Sequence, residues 1–316
     1  LNIHDSAQDG RFSVHLDDHD IEIRTSILPG AYGESIVLRL LNPATIALPL
    51  EKLGMEEKLL KVLDHEIKKP NGMILTTGPT GSGKTTTLYA FLRKIHTPEI
   101  KIITIEDPIE YHLPGIVQTQ VDKKNYTFAK GLRSGLRQDP DVIMVGEIRD
   151  EEVAETAINA ALTGHLVFST LHTNNAAGSF PRLIDLGVNP KVISSAVNIS
   201  MAQRLLRVLC PKCKKKAPLS GEDRALILSV LKGIADQKLR ETPAEETFEP
   251  QGCAACNGSG FKGRIGIFEA ILMDGTIEKL VKESASEREI AEGARKQEML
   301  TMKQDGMLKV LRGSIG

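Results

Sequence analysis

The sequence predicts an α/β fold with a mostly parallel central sheet, and three observations lead to this prediction. Short apolar runs at 73–77, 102–105, 142–145 and 166–171 alternate with segments of helical spacing. These runs are continuously apolar, which is typical of parallel strands that are buried on both faces. A glycine-rich loop joins the first run to a helical segment, and alternating strands and helices of this kind build a doubly covered sheet.

Size and composition indicate a globular protein with more than one domain. The chain has 316 residues, of which 41% are apolar and 26% are charged. Its 40 Lys and Arg residues nearly balance its 41 Asp and Glu residues, so no excess positive charge is available to attract a polyanion. We therefore expect no nucleic-acid partner. The apolar stretches also fall short of the roughly 18 residues that a membrane-spanning helix needs, so we expect no direct membrane span.

The N-terminal part of the chain has the pattern of a β domain. Residues 11–41 alternate polar and apolar side chains with the period of half-buried antiparallel strands. Because the chain starts at Leu1 rather than at Met, we expect an N-terminally trimmed fragment in which residues 1–43 are the C-terminal part of a β-rich domain. Prolines around the segment 44–50 predict a linker there.

Three further segments are expected after the linker. An amphipathic stretch opens a core domain at 51–207, which contains the apolar runs described above. The chain then becomes rich in Cys and Lys, which predicts a metal-binding module at 208–266. Helical spacing over most of the remaining residues predicts a helical C-terminal domain at 267–316.

The loop after the first apolar run has the Walker A pattern. Gly78 is followed by four residues and then by Gly83, Lys84 and Thr85, between a strand-like run and a helix-like one. Glycines allow successive backbone N–H groups and a helix N-terminus to face phosphates, Lys84 adds a positive charge, and the Thr85 hydroxyl can bind Mg²⁺. The expected nucleotide-binding residues are Gly78, Pro79, Thr80, Gly81, Ser82, Gly83, Lys84, Thr85 and Thr86.

Two other apolar runs end in carboxylates. The run 142–145 leads to Glu147, which we expect to be the Walker B acid, and the run 102–105 leads to Glu106, which we expect to polarise the attacking water. The alternative is that acids such as Glu106 only solvate a loop. His172 follows the fourth run, where it is placed to sense a γ-phosphate, but a single histidine is more often a structural residue. Position alone does not decide between these two roles for His172 or for His165.

Arginines are expected near the nucleotide because a guanidinium can neutralise the charge that builds on the transferred phosphoryl group. Position alone does not select one, and a surface salt bridge is an alternative for the helical pair at 133 and 137. The candidates are Arg24, Arg39, Arg133, Arg137 and Arg149.

All four cysteines lie in two Cys-x-x-Cys pairs, Cys210 with Cys213 and Cys253 with Cys256. Four thiolates in this arrangement predict a closed, structural Zn²⁺ site, although the pairs are farther apart than in a standard zinc ribbon. The alternatives are a redox dithiol or four unpaired thiols. Cysteines used in this way, without a secretory signal, predict a reducing cytoplasm.

The chain resembles the bacterial ATPases that power type II secretion and type IV pilus assembly, the GspE- and PilB-like proteins. The resemblance runs from about Asp9 to the C-terminus and is carried by four motifs. These are the Walker A loop at 78–85, the aspartate box at 105–110, the Walker B segment at 145–150 and the histidine box at 163–174. The resemblance implies a RecA-like core that follows a PAS-like β-rich domain.

The resemblance also implies roles for individual residues. It implies that Glu106 is the catalytic glutamate, that Glu147 is the Walker B acid and that His172 lies near the γ-phosphate. It singles out Arg24 and Arg39, which in this family reach the nucleotide as the β-rich domain closes.

The resemblance implies the cofactors ATP, Mg²⁺ and Zn²⁺. It also implies that the chain assembles into a homo-hexamer. Family members act at the cytoplasmic face of the inner membrane, held there by platform and anchoring proteins. A zinc module further suggests pilus or pseudopilus assembly rather than retraction.

Two other functions are compatible with parts of the sequence. One is a nucleic-acid translocase or helicase with a similar core, which the near-zero net charge disfavours. The other is a non-catalytic zinc interaction module with a vestigial loop, which the presence of Lys84, Thr85, Glu106 and Glu147 disfavours.

Overall fold

A computed structural model describes residues 5–16, 19–41, 48–122 and 125–316. Their contacts divide them into two compact units. The β unit contains the described residues up to Leu48 together with Glu110–His112, and the core unit contains Pro49–Ile109 and Leu113–Gly316. The expected linker lies mostly outside the described residues. The expected division of the core unit into three domains stays a prediction.

The β unit is a three-stranded antiparallel sheet. It consists of β1 (Gln8–Leu16), β2 (His19–Gly30) and β3 (Gly33–Leu41), in that order. Gly30 and Gly33 close the turn between the last two strands. The alternating sequence pattern therefore predicted these strands correctly.

The described strands of the core unit are β4 (Gly72–Thr77), β5 (Ile102–Glu106), β6 (Val117–Gln120), β7 (Val142–Val145), β8 (Leu166–Leu171), β9 (Val197–Leu209), β10 (Lys215–Pro218), β11 (Glu246–Glu249) and β12 (Phe261–Leu272). All except the β10–β11 pair form one sheet, in the order β12-β9-β4-β8-β7-β5-β6. Only the β12–β9 pair in this sheet is antiparallel. The predicted mostly parallel α/β sheet is confirmed.

The described helices are α1 (Glu57–Glu66), α2 (Lys84–Ile95), α3 (Phe128–Leu136), α4 (Glu151–Leu162), α5 (Ser179–Asp185), α6 (Pro190–Ala196), α7 (Gly221–Leu231), α8 (Gln237–Arg240), α9 (Gly275–Lys282), α10 (Glu287–Ala294) and α11 (Met302–Leu311). Several begin at a side-chain cap: the Asp150 carboxylate accepts from Val153 N–H at the start of α4, and Thr301 forms a capping box at α11. Within the described part of the chain, no helix has both the length and the apolar character to cross a membrane.

Helices cover both faces of the central sheet. Val167 of β8 belongs to a core cluster that contains Ala157 of α4 and Ile193 of α6. The next residue, Phe168, points to the opposite face and packs against Phe91 of α2, with the rings tilted by 49° and their centroids 5.6 Å apart. Burial on both faces explains why the strands are continuously apolar.

A buried ion pair lies between α11 and β12. Asp305 and Lys309 are 2% and 3% exposed, and the Lys309 ammonium is 2.6 Å from Asp305 Oδ1. The other carboxylate oxygen accepts a 2.8 Å hydrogen bond from the Phe268 backbone N–H. Burial raises the pKa of Asp305 and lowers that of Lys309, and the attraction between the two charges opposes both shifts.

Candidate active site and metal centre

The Walker A loop connects β4 to α2 at the carboxyl edge of the sheet. Gly83 precedes the helix with a φ of 90°, a conformation that favours glycine. The Lys84 ammonium folds back over the loop and donates to the carbonyl oxygens of Gly78 at 2.7 Å and Pro79 at 3.1 Å. Positive charge and the N-terminus of α2 therefore meet at one place, which suits a phosphate group.

Glu147 lies beside this loop, just beyond the end of β7. Its mostly buried side chain forms an ion pair with Arg149, and one carboxylate oxygen is 3.5 Å from Nε2 of His172. Burial lowers the pKa of Lys84, Glu147 opposes this shift, and Arg204 adds to it. The structure thus brings Lys84, Glu147 and His172 together at one edge of the sheet.

Hydroxyl groups fix the strand ends that carry these residues. Thr77 Oγ1, at the end of β4, donates to the Leu171 carbonyl oxygen and accepts from Thr173 N–H at 2.8 Å. Thr170 Oγ1 donates to the Gly146 carbonyl oxygen at 2.8 Å, which joins β8 to the residue before Glu147. These bonds hold the loops that present Glu147 and His172 in a defined geometry.

Glu106 ends β5, as the sequence predicts, but its side chain is only 2% exposed. Its carboxylate accepts hydrogen bonds from the Tyr89 hydroxyl, from Thr104 Oγ1 at 2.6 Å and from Gln118 Nε2 at 3.1 Å. This burial is not visible in the sequence, because two of the three donors come from other elements, α2 and β6. In this conformation the carboxylate is occupied by protein donors rather than by solvent.

Three other candidates have local partners. His165 precedes β8, and its Nδ1 lies 3.0 Å from the Ala160 carbonyl oxygen of α4, at the opposite edge of the sheet from the Walker loop. Arg133 pairs with Glu152 on the exposed surface, and Arg137 donates to Ser134. The contacts of His165 and Arg133 match the structural alternatives that the sequence left open, and Arg137 bonds to a hydroxyl rather than to the carboxylate expected for a salt bridge.

Arg24 and Arg39 lie in the β unit and face each other. They are direct cross-strand partners on β2 and β3. Arg24 Nη1 is 3.0 Å from a carboxylate oxygen of Glu110, a residue of the same unit. The side chain of Arg39 is exposed. The strand register therefore places both guanidinium groups on one face of this sheet.

Two residues near the Walker loop were missed from the sequence. Arg204, on β9, donates to the Asn174 carbonyl oxygen at 3.1 Å and lies close enough to Lys84 to affect its pKa. Gln203, the preceding residue, bonds directly to the loop. In the sequence, Gln203 and Arg204 stand out only as a polar pair within a strand-like stretch. They lie more than 100 residues from the Walker loop, so the sequence does not indicate that they contact it.

The four cysteines form one cluster, and their sulfur atoms lie within 4.8 Å of one another. Three sulfur pairs are 3.7–3.9 Å apart. Sulfurs placed about 2.3 Å from a tetrahedral zinc ion are about 3.8 Å from each other, so the spacing fits this metal. Desolvation raises the pKa of the half-buried Cys213 thiol to about 11, and a cation bound by the four sulfurs would lower this pKa again.

Curated relatives are similar along nearly the whole chain. The type II secretion system protein E of Pseudomonas aeruginosa is 47% identical over 307 residues, which are 97% of this chain and 59% of that protein. The type II secretion system ATPase E of Vibrio cholerae is 44% identical over 307 residues, with the same coverage. The chain therefore spans less than two thirds of the length of these relatives.

Solved structures share the fold. The pilus retraction motor PilT, determined with bound ADP, is 29% identical and superposes with a TM-score of 0.66, covering 98% of this chain and 75% of that one. The ATPase DotB of Legionella pneumophila, at 22% identity and a TM-score of 0.68 over the same shares, supports the fold alone. The family model for type II/IV secretion system proteins matches residues 4–316. The chain thus belongs to the type II/IV secretion system protein family.

Proposed function

We propose that this chain is the catalytic part of an ATP-hydrolysing motor that powers assembly of a type II secretion pseudopilus or a type IV pilus. One observation carries the proposal: a Walker loop whose Lys84 lies beside Glu147 and His172 at the carboxyl edge of a parallel sheet. Membership in the secretion system family supports the same conclusion.

The proposed chemistry is phosphoryl transfer from ATP to water with Mg²⁺ as cofactor. The residues 78–86 would bind the phosphates, and the Thr85 hydroxyl and Glu147 would hold Mg²⁺, which would supply positive charge to stabilise the phosphoryl group. His172 contacts the γ-phosphate. Glu106 orients the attacking water after its carboxylate turns away from the Tyr89 hydroxyl.

Arg24 and Arg39 complete the site in this proposal by stabilising charge on the transferred group. Their common face in the β unit supports a joint role. Movement of the β unit toward the nucleotide then couples hydrolysis to a rigid-body motion. The motor is proposed to work as a homo-hexamer in the cytoplasm, bound to platform and anchoring proteins of the inner membrane.

The cysteine cluster is proposed to hold a structural zinc ion. All four ligands come from protein, so no open position remains for catalysis. The zinc would stabilise the turns at Cys210 and Cys253.

Replacing Glu147 with glutamine should lower steady-state ATP turnover by at least about 100-fold, because the amide keeps the shape of the side chain but lacks the negative charge that would hold Mg²⁺ at the phosphates. Release of inorganic phosphate by the purified protein measures this effect. Glu278→Gln on α9, an exposed carboxylate paired with Lys282, serves as the control and should retain turnover.

A Glu147→Gln protein that hydrolyses ATP at the wild-type rate would contradict the proposed catalytic role. The same assay tests whether a nucleic acid is a partner of the protein. Turnover that rises on addition of single-stranded DNA would instead favour a nucleic-acid translocase.

The purified protein should contain about one zinc ion per chain, measured by elemental analysis. Cys253→Ser should release the metal and lower the melting temperature by more than about 5 °C, since metal binding contributes to folding. Ser229→Ala, on the exposed surface of α7, should change neither quantity. A wild-type protein with far less than one zinc per chain would disprove this assignment.

A further inference from the structure

Gln203 of β9 is a polar side chain that is almost completely buried, with 1% of its surface exposed. Both ends of its amide are hydrogen-bonded to the nucleotide loop region. Nε2 donates to the Ser82 carbonyl oxygen at 2.7 Å, and Oε1 accepts from the Thr87 hydroxyl at 2.9 Å. Ser82 precedes Lys84 in the loop and Thr87 lies in the first turn of α2. Gln203 therefore spans the junction that presents Lys84 and Thr85.

The backbone of the loop also fits closely around Gln203. A Cβ atom on Gly78 would lie 2.6 Å from the Gln203 carbonyl oxygen, and one on Gly83 would lie 3.1 Å from its Nε2. Both glycines have positive φ values, 148° and 90°. They are thus needed for the curvature of the loop and also for its close approach to this residue.

These contacts explain why a glutamine, a polar residue, occupies an almost completely buried position. An apolar side chain of equal size would fill the space but would leave the Ser82 carbonyl oxygen and the Thr87 hydroxyl without these partners. A shorter amide would not reach both at once. The residue type therefore matches a bridge between loop and helix rather than packing alone.

We propose that Gln203 is a positioning residue for nucleotide binding, which holds the Walker loop in its phosphate-binding curve before the nucleotide arrives. The proposal rests on the proposed function only in that the loop binds a nucleotide. Gln203 acts through Ser82 and Thr87 and does not touch the phosphates. A loop that is already curved loses less conformational freedom on binding, so its affinity for the ligand is higher.

The test compares Gln203→Met with the wild-type protein by titration of fluorescently labelled ADP. Loss of two hydrogen bonds shifts the equilibrium between the curved loop and other loop conformations by about tenfold. The Kd for ADP should therefore rise by about tenfold. The KM for ATP should rise by a similar factor, while kcat at saturating ATP changes less. Thr87→Val should give a smaller loss, and the combination of both substitutions should be no worse than Gln203→Met alone because they remove a shared contact.

Gln297→Met is the matched control. Gln297 is also a glutamine with both ends of its amide bonded, in the C-terminal region. Its Oε1 accepts from the Leu272 N–H, and its Nε2 donates to the Leu272 carbonyl oxygen and to Asp274 Oδ2. This variant reports on general destabilisation, and its ADP affinity should match that of the wild type. Thermal unfolding without nucleotide is recorded for both variants.

An unchanged ADP affinity in Gln203→Met would overturn the proposal. Equal losses of affinity in the Gln203 and Gln297 variants would also overturn it, since they would point to destabilisation alone. ADP binding separates this test from the proposed motor function. If the wild-type protein binds ADP but hydrolyses no ATP, the motor proposal fails while the role of Gln203 is still measured.

Discussion

Lys84→Ala is expected to lower ATP turnover by at least about 100-fold and to weaken nucleotide binding. The ammonium group lies over the loop and bonds to the Gly78 and Pro79 carbonyl oxygens, so it is in place to meet a phosphate. The substitution replaces the charged side chain with a methyl group at the place where negative charge builds on the transferred phosphoryl group. Phosphate release and labelled-ADP titration measure the two effects.

Lys61→Ala is the control for this substitution. Lys61 lies on α1 in an exposed pair with Glu57, and its removal should leave turnover and ADP affinity unchanged. Wild-type turnover in Lys84→Ala would show that hydrolysis takes place elsewhere, and the proposed function would then be wrong.

Asp305→Ala should destabilise the protein by about 3–5 kcal/mol, because it leaves the Lys309 ammonium buried without its partner. The Phe268 N–H also loses its acceptor. Urea unfolding, followed by circular dichroism, measures the change in free energy. Replacing both charged residues together, by Asp305→Leu and Lys309→Met, should recover much of the loss because no unpaired charge remains.

The control for the buried pair is an exposed pair with the same spacing. Glu278→Ala on α9 removes the partner of Lys282, and this should cost no more than about 0.5 kcal/mol. If Asp305→Ala costs as little as Glu278→Ala, the buried pair does not stabilise the fold.

The sequence predicted those parts of the site that are local in the chain. The Walker loop, the buried strands and the carboxylates that follow them depend on neighbouring residues, so their patterns are visible in one dimension. The four cysteines were predictable for a similar reason, since two short motifs are enough to indicate a metal cluster.

The contacts that the sequence did not reveal join segments that are far apart. Glu106 is buried because Tyr89 and Gln118 happen to lie over it, and Gln203 reaches the loop because β9 pairs with β4. The strand β12 was also missed. It runs from Phe261 to Leu272, through the point at 266 where the sequence suggested that a helical domain follows. Such pairings depend on the whole sheet, which no local pattern encodes.

The strand β9 has a mechanical consequence. It continues without a turn from Gln203 to Leu209, and Cys210 follows immediately. The distance from Gln203 to Cys210 is seven residue steps, which cover about 23 Å at about 3.3 Å per residue. Pairing with β12 continues along this stretch, with one shift in register between Phe261 and Arg264. The strand that bonds to the Walker loop through Gln203 therefore leads directly into the first cysteine pair, and a rotation of this strand would move both ends together.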